Sequence, residues 1–157
     1  MPDFSIEKQF NGSVIGLDEV GRGPLAGPVI SWGCYFKNYT IQNEFSNFIR
    51  DSKKLSEKKR ELSFMFLQNL KKEGVIDYHL GIANVEEIDT LNILEATKLS
   101  MKRVVDKFNL TSAHLIIDGN FGLNYKSYKE QSVIKGDEKS LSIAAASIIA
   151  KVHRDKL

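Results

Sequence analysis

A chain of 157 residues has room for one domain with a buried core and little room for two. With 42% hydrophobic residues, 27% charged residues and a formal net charge of +2, the composition is that of an ordinary globular protein and neither requires nor excludes a nucleic-acid partner. The single cysteine excludes an internal disulfide bond, and because no run reaches the roughly 18–20 apolar residues of a membrane span, we expect a cytoplasmic protein with no membrane partner.

The first half of the chain predicts two strands and a helix. Residues 14–18 form a short apolar run typical of a strand. Residues 21–27 contain three glycines and a proline, a composition typical of a loop. Residues 28–36 are rich in β-branched and aromatic side chains, which indicates a second strand. A helix then begins after Ser56 and ends at Gly74, with an apolar face formed by Leu62, Phe66 and Leu70.

The second half alternates strands with helices. Residues 75–83 predict a strand, and Asn84 with Glu87 has the spacing of a capping box. A strand at residues 113–118 and an alanine-rich helix at residues 140–153 follow. Between them we expect a long helix over residues 91–108, with one side formed by Ile93, Thr97, Met101, Val104 and Val105. This order predicts a layered α/β or α+β domain with a mostly buried sheet.

Acidic residues stand where the predicted strands end. Asp18 and Asp118 each close an apolar strand, and ligands of layered α/β sheets collect at the carboxyl ends of strands. Two carboxylates brought together there repel each other unless a cation lies between them, and oxygen ligands suit Mg²⁺ or Mn²⁺. Asp137, just before the last helix, is a third candidate. The alternatives are turn-forming roles for Asp18 and Asp118 and an N-cap role for Asp137.

The glycine loop also matches a loose dinucleotide-binding fingerprint, with Gly21, Gly23 and Ala26 at the required spacing. That fingerprint needs a helix to begin in the loop, whereas Pro28 would break such a helix within about one turn. The acids directly before the glycines would also repel a pyrophosphate. A nucleotide-binding oxidoreductase is therefore the weaker interpretation.

The whole acidic and glycine-rich segment resembles the signature of the type 2 ribonucleases H. It reads GLDEVGRGPLAGPV over residues 16–29. Four further blocks resemble the same family in the same order: DSKKLS, IDTLNILEAT, IDGN and KGDEKSLSIAAASIIAKVHRD. The resemblance runs from about residue 13 to the end of the chain. It implies a ribonuclease H-like fold, an α/β architecture with a mixed central β-sheet flanked by helices.

The resemblance also assigns roles to residues. The family's catalytic acids, which bind two divalent ions, Mn²⁺ or Mg²⁺, match Asp18, Glu19, Asp118 and Asp137. Glycines allow backbone groups to approach a sugar closely, and the family's loop that senses the ribose 2′-hydroxyl matches Gly21, Arg22 and Gly23. The family has further substrate-contacting residues, a basic pair and positions on its last helix. They match Lys53, Lys54, Ser147, Lys151 and Arg154.

The activity implied by the resemblance is endonucleolytic cleavage of the RNA strand of an RNA/DNA hybrid, including ribonucleotides embedded in a DNA duplex. In the family a two-metal-ion mechanism leaves a 5′-phosphate and a 3′-hydroxyl. These two nucleic acids are the expected partners, and we expect the protein to be a monomer.

The chain departs from the family at its end. Family members usually continue beyond the position of Leu157 into a segment with a tyrosine near the cleavage junction, and none of the five tyrosines here matches it. We therefore interpret residues 1–157 as a single catalytic domain that lacks this segment. The alternative is a truncated, weakly active or inactive nucleic-acid-binding relative. The type 3 ribonucleases H are a nearer rival, but they usually carry an extra N-terminal domain for which this chain has no room.

Overall fold

A computed structural model describes residues 1–20, 27–52 and 56–155, without the side chains of residues 50–52. In this part of the chain the strands are β1 (Val14–Val20), β2 (Val29–Phe36), β3 (Ile76–Ala83), β4 (His114–Asp118) and β5 (Lys129–Val133). The helices are α1 (Gln42–Ser52), α2 (Glu57–Lys72), α3 (Val85–Leu91), α4 (Ile93–Lys107) and α5 (Leu141–Asp155). Short 3-10 turns at Glu7–Gln9 and Gly136–Glu138 lie before β1 and before α5.

The strands form one mixed sheet in the order β3-β2-β1-β4-β5. β1 pairs antiparallel with β2, and β2 pairs antiparallel with β3. On its other side β1 pairs parallel with β4, which in turn pairs parallel with β5. The mixed sheet implied by the resemblance is confirmed. Its parallel half brings the carboxyl ends of β1 and β4 to the same edge.

Helices cover both faces of the sheet, so the domain has three layers. On one face α4 packs on β3 and β2, and its side chains share a buried cluster with β1 and β4 that contains Ile15, Leu17, Met101, Val104, Leu115 and Ile117. On the other face α1, α2 and α5 pack on β2 in a cluster that contains Trp32, Cys34, Phe36, Phe45, Leu67 and Ile149. The predicted layered architecture is confirmed, and α5 is buried along nearly its whole length.

Several predicted elements differ from the structure. The helix expected over residues 91–108 begins later, because Asn92 separates α3 from α4 with a φ of 82° and caps α4 by accepting a hydrogen bond from the Glu95 amide. In that helix Ile93 is 48% exposed, so the predicted apolar side is wrong at its first position. The predicted face of α2 is also wrong at Leu62, which is 51% exposed, because the helix buries Ser63, Phe64, Leu67 and Leu70.

Cations cover the free edge of β3. The carbonyl oxygens of Tyr78, Leu80 and Ile82 accept hydrogen bonds from Lys71, Lys107 and Arg103, respectively. Unpaired edge strands are templates for association with other chains, and charged side chains placed along the edge prevent it. The two helices that flank β3 therefore protect this edge of the sheet.

The Arg103 guanidinium also forms a bidentate ion pair with Glu87, at 2.7 and 2.6 Å. The predicted capping box is confirmed, because Glu87 and Asn84 exchange hydrogen bonds at the start of α3. The hydrogen bonds from Arg103 and then from the Asn84 amide lower the pKa of Glu87 to about 2. A carboxylate with a lowered pKa stabilises the fold above its unfolded-state pKa of 4.5 and loses that contribution as the pH falls toward 2.

We therefore expect Glu87→Gln to lower the melting temperature by a constant amount above about pH 5.5, where the unfolded carboxyl is ionised. The difference from the parent should shrink steadily below about pH 4.5. Thermal unfolding at several pH values between neutral and acidic conditions measures it. Glu86→Gln, on the neighbouring exposed residue, is the control and should show no such trend. A Glu87→Gln difference that is independent of pH would contradict the ion-pair explanation.

No helix within the described residues is both long enough and apolar enough to span a lipid bilayer.

Candidate active site

The parallel pairing of β1 and β4 brings two carboxylates side by side. Leu17 pairs with Ile117 in the register of these strands, so Asp18 and Asp118 are the next neighbours along the same ladder. Side chains alternate between the faces of a sheet, and paired residues of parallel strands point the same way. Asp18 and Asp118 therefore share the face that carries α5, while Leu17 and Ile117 pack toward α4.

The first acid of this pair is nearly buried. Asp18 is 9% exposed, and its Oδ1 accepts a hydrogen bond of 2.8 Å from the Glu19 amide. Burial raises the pKa of Asp18 well above its ordinary value, and the negative charge of Asp118 raises it further. Burial and the charge of Asp118 also raise the pKa of the half-buried Glu19. The three acids therefore form a region where added negative charge is costly and a cation is stabilised.

The turn before α5 lies beside the two strand-end acids Asp18 and Asp118. The amide of Gly136 donates a hydrogen bond of 2.9 Å to Oδ1 of Asp118. Asp137 follows in the Gly136–Glu138 turn and is half-buried, which places it at the same end of the sheet as the other acids. Ser140, whose Oγ accepts from the Ile143 amide at 3.1 Å, caps α5. The N-cap alternative for Asp137 is therefore wrong.

The four acids do not form a closed cluster. In residues 1–20, 27–52 and 56–155, no group of three or more His, Cys, Asp or Glu side chains is close enough together to hold a metal ion. The direct contact is between Asp18 and Asp118. Glu19 interacts electrostatically with Asp118, and Asp137 is linked to Asp118 through the backbone of its neighbour Gly136.

The predicted substrate contacts are only partly within the described residues. Ser147 lies in the buried face of α5 with 5% exposure, Lys151 is half-buried one turn later, and Arg154 is exposed. Lys151 and Arg154 are therefore the more accessible candidates on this helix. The remaining candidates, Gly21, Arg22, Gly23, Lys53 and Lys54, lie outside the described residues.

Sequence reasoning missed Gly136 as a site residue. A Cβ atom at this position would lie 2.6 Å from Cδ1 of Ile143 and 3.3 Å from Oδ1 of Asp118. A side chain at this position would crowd both atoms, and glycine lets the turn approach Asp118 closely enough for the amide to donate. The available signal was the glycine directly before Asp137, but its partner is distant in sequence and no local pattern indicates it.

Comparisons with known proteins agree with this arrangement. Residues 15–157 match the family profile of ribonuclease HII. The chain is 47% identical over 156 residues to ribonuclease HII of Wolbachia pipientis subsp. Culex pipiens (strain wPip), covering 99% of this chain and 75% of the relative. It is 46% identical over 156 residues to ribonuclease HII of Jannaschia sp. (strain CCS1), covering 99% and 74%.

A solved structure shows the same fold. Ribonuclease H2 from Pyrococcus horikoshii OT3 superposes with a TM-score of 0.70 at 26% identity, covering 92% of this chain and 73% of that one. The profile and both curated relatives are type 2 enzymes, which decides against the type 3 alternative. The chain belongs to the ribonuclease HII family and is a ribonuclease H, an endonuclease with the ribonuclease H-like fold.

Proposed function

We propose that the protein hydrolyses the RNA strand of RNA/DNA hybrids and also cuts at ribonucleotides embedded in a DNA duplex. Asp18, Glu19, Asp118 and Asp137 are its catalytic acids and hold two divalent metal ions, Mn²⁺ or Mg²⁺. The products carry a 5′-phosphate and a 3′-hydroxyl.

The observation that carries this proposal is the contact between Asp18 and Asp118 at the point where the parallel pairing of β1 and β4 ends. Burial and mutual repulsion make the ionised pair unfavourable, as the raised pKa of Asp18 indicates. A structural role does not require two carboxylates in contact. A divalent cation, in contrast, stabilises both carboxylates when they are ionised.

The donor set fits Mg²⁺ or Mn²⁺. Carboxylate oxygens are the ligands that these hard cations prefer. Asp18 and Asp118, which are in contact, would supply the first ligands, and Glu19 and Asp137 would complete the set once a cation draws the acids together. When bound, two such ions supply an activated water and stabilisation of the leaving oxygen in an in-line displacement.

The protein's own residues orient the reaction. The Gly136 amide donates to Oδ1 of Asp118 and so holds the orientation of that carboxylate. Because Asp18 is buried and accepts from the Glu19 amide, its carboxylate has little freedom to rotate. Such fixed placement of charge is the main contribution of a protein to phosphodiester hydrolysis.

The direct test is cleavage of two labelled substrates by the intact chain. One is a DNA duplex with a single ribonucleotide, and the other is a long RNA/DNA hybrid. Each is incubated with Mg²⁺, with Mn²⁺ or with EDTA. We expect metal-dependent cuts in both substrates and a 3′-hydroxyl at the cut. No cleavage with either metal by a folded sample would favour the alternative of an inactive nucleic-acid-binding relative.

The glycine-arginine-glycine segment of the sequence begins directly after Val20, which is two residues beyond Asp18. We expect Arg22→Ala to reduce cleavage at the single embedded ribonucleotide by about 10-fold or more, the loss expected for a charge-assisted contact of about 1.5–3 kcal/mol. Cleavage of both substrates is measured side by side. Lys72→Ala is the control, because Lys72 is exposed near the start of β3, at the opposite end of the sheet. Unchanged cleavage at the embedded ribonucleotide would remove Arg22 from substrate recognition.

A further inference from the structure

Glu7 is an ionisable residue with no exposed surface. It is 0% exposed, and its Oε2 accepts hydrogen bonds from Oγ of Ser140 at 2.9 Å and from the amide of Ser142 at 3.0 Å. Burial raises the pKa of this carboxyl group, and the bonds from Ser142 and Ser140 oppose the shift. Glutamate is rarely buried completely, because removing a charge from water is costly. Its position therefore calls for a physical explanation.

The partners of Glu7 lie at the N-terminus of α5, where the first backbone amides have no acceptor within the helix. The Leu141 amide donates to the carbonyl of Asp3 at 2.9 Å, and the Ser142 amide donates to Glu7. The next amide, of Ile143, donates to Oγ of Ser140. Residues from the N-terminal segment thus satisfy two of the first three amides. A carboxylate at this end is also favoured by the helix dipole.

The same helix end is joined directly to the turn that carries Asp137. The amides of Lys139 and Ser140 donate to the Gly136 carbonyl at 3.0 and 2.8 Å, while the Gly136 amide donates to Asp118. Glu7 accepts hydrogen bonds from the N-terminus of α5, and the residues that lead into this helix donate hydrogen bonds to the turn. The position of Asp137 relative to Asp118 therefore depends on a residue that touches neither.

The helix end is also pressed against β1. A Cβ atom at Gly16 would lie 2.6 Å from the backbone carbon of Ser142, so no side chain fits between strand and helix. Gly16 is two residues before Asp18 on the same strand. Contact with Gly16 limits the helix on one side and the hydrogen bonds to Glu7 anchor it on another, so the turn and both strand ends are fixed together.

We propose that Glu7 is a positioning residue of the active site, which fixes the N-terminus of α5 and thereby sets Asp137 against the strand-end pair Asp18 and Asp118. This role rests on the proposed function of the four acids as metal ligands. It predicts that loss of the Glu7 carboxylate weakens metal binding and slows the chemical step, and that binding of the hybrid is unchanged.

The test compares Glu7→Ala and Glu7→Gln with the parent chain. Binding of Mn²⁺ is measured by the electron paramagnetic resonance signal of the free ion, and kcat and KM are measured separately on the hybrid. We expect Glu7→Ala to weaken Mn²⁺ binding and to lower kcat by about 10-fold each, in the range seen when groups behind metal ligands are removed, with KM unchanged. Glu7→Gln keeps an acceptor oxygen for the Ser142 amide and should restore most of both losses.

Leu70→Ala is the control for a general loss of stability, because Leu70 is a buried core residue at the end of α2, away from the acids. Leu70→Ala should leave Mn²⁺ affinity unchanged. A loss of Mn²⁺ affinity in Leu70→Ala as large as that in Glu7→Ala would overturn the positioning role. If Glu7→Ala does not fold, the comparison is made with Glu7→Asp, which keeps the carboxyl group but moves its oxygens away from Ser140 and Ser142. Mn²⁺ affinity of Glu7→Asp equal to that of the parent chain would likewise overturn the positioning role.

Asp118→Asn separates the two proposals. If Asp118→Asn loses Mn²⁺ binding while Glu7→Ala retains it, the positioning role is wrong and the four-acid site stands. If Asp118→Asn binds Mn²⁺ as tightly as the parent chain, the four-acid site is wrong and the role of Glu7 falls with it.

Discussion

Asp118→Asn should reduce cleavage of the RNA/DNA hybrid by about 10³-fold or more, since metal ions contribute several kcal/mol to such reactions and each 1.4 kcal/mol is a factor of about ten in rate. The change removes one carboxylate charge from the pair at the strand ends. The asparagine oxygen can still accept the hydrogen bond that the Gly136 amide donates to Asp118. The local backbone should therefore keep its shape while metal binding is lost.

The same substitution should stabilise the protein when metal is removed. Asp18 is 9% exposed, and the charge of Asp118 raises its pKa, so the ionised pair is under electrostatic repulsion near neutral pH. Relief of that repulsion should be worth about 1 kcal/mol, or roughly 2–4 °C in melting temperature for a chain of this size. A site that loses activity and gains stability on one substitution is typical of a functional rather than a structural cluster.

Single-turnover cleavage and thermal unfolding in EDTA measure these two effects on the same samples. Asp89→Asn is the matched control, because Asp89 is an exposed carboxylate on α3. It should change neither the rate nor the melting temperature. Cleavage by Asp118→Asn at a rate near that of the parent chain would falsify the assignment of Asp118 as a catalytic acid.

The strand-end acids could be predicted from sequence because the signal is local. An apolar run that ends in an acid predicts a strand with a carboxylate near its end. β1 continues two residues beyond Asp18, and its parallel pairing with β4 brings Asp18 and Asp118 together. The family resemblance added Glu19 and favoured a ligand role over an N-cap role for Asp137, and it also implied a mixed sheet, which is confirmed.

Elements defined by distant contacts could not be predicted in the same way. β5 (Lys129–Val133) has the sequence KEQSV, which shows no apolar alternation, and it is a strand because it pairs with the buried β4. α1 (Gln42–Ser52) also was not expected from sequence. The break between α3 and α4 depends on the positive φ of Asn92, a conformation that asparagine tolerates but does not require. Local propensity does not decide such cases.

The residues that support the four proposed catalytic acids could not be predicted for the same reason. Glu7 and Gly136 each act through a partner far along the chain, Ser140 for the first and Asp118 for the second. A pattern of neighbouring residues carries no information about such contacts. The residues that fix the position of the acids are therefore the part of the site that only the structure reveals.

Gly136→Ala tests the role of these supporting residues, because it introduces a steric clash at the turn. The new Cβ would lie 2.6 Å from Cδ1 of the fully buried Ile143 and 3.3 Å from Oδ1 of Asp118, so the Ile143 side chain or the turn has to shift. A shift of the turn lengthens the hydrogen bond from the residue 136 amide to Asp118 and displaces Asp137. We expect kcat to fall about 10- to 100-fold and the metal concentration for half-maximal activity to rise, the loss typical when the support of a metal ligand is disturbed.

Two further variants make the result specific. Gly74→Ala is a glycine-to-alanine control at the α2–β3 turn, where the φ of 77° strains any side chain but nothing lies within 4 Å. It should cost about 1 kcal/mol of stability without changing kcat. Ile143→Val removes the Cδ1 atom that the new Cβ meets, so the double variant Gly136→Ala with Ile143→Val should regain much of the lost activity. Non-additivity of this kind is expected only for groups in contact. Full activity of Gly136→Ala alone would instead mean that the proposed catalytic acids do not depend on the close approach of this turn.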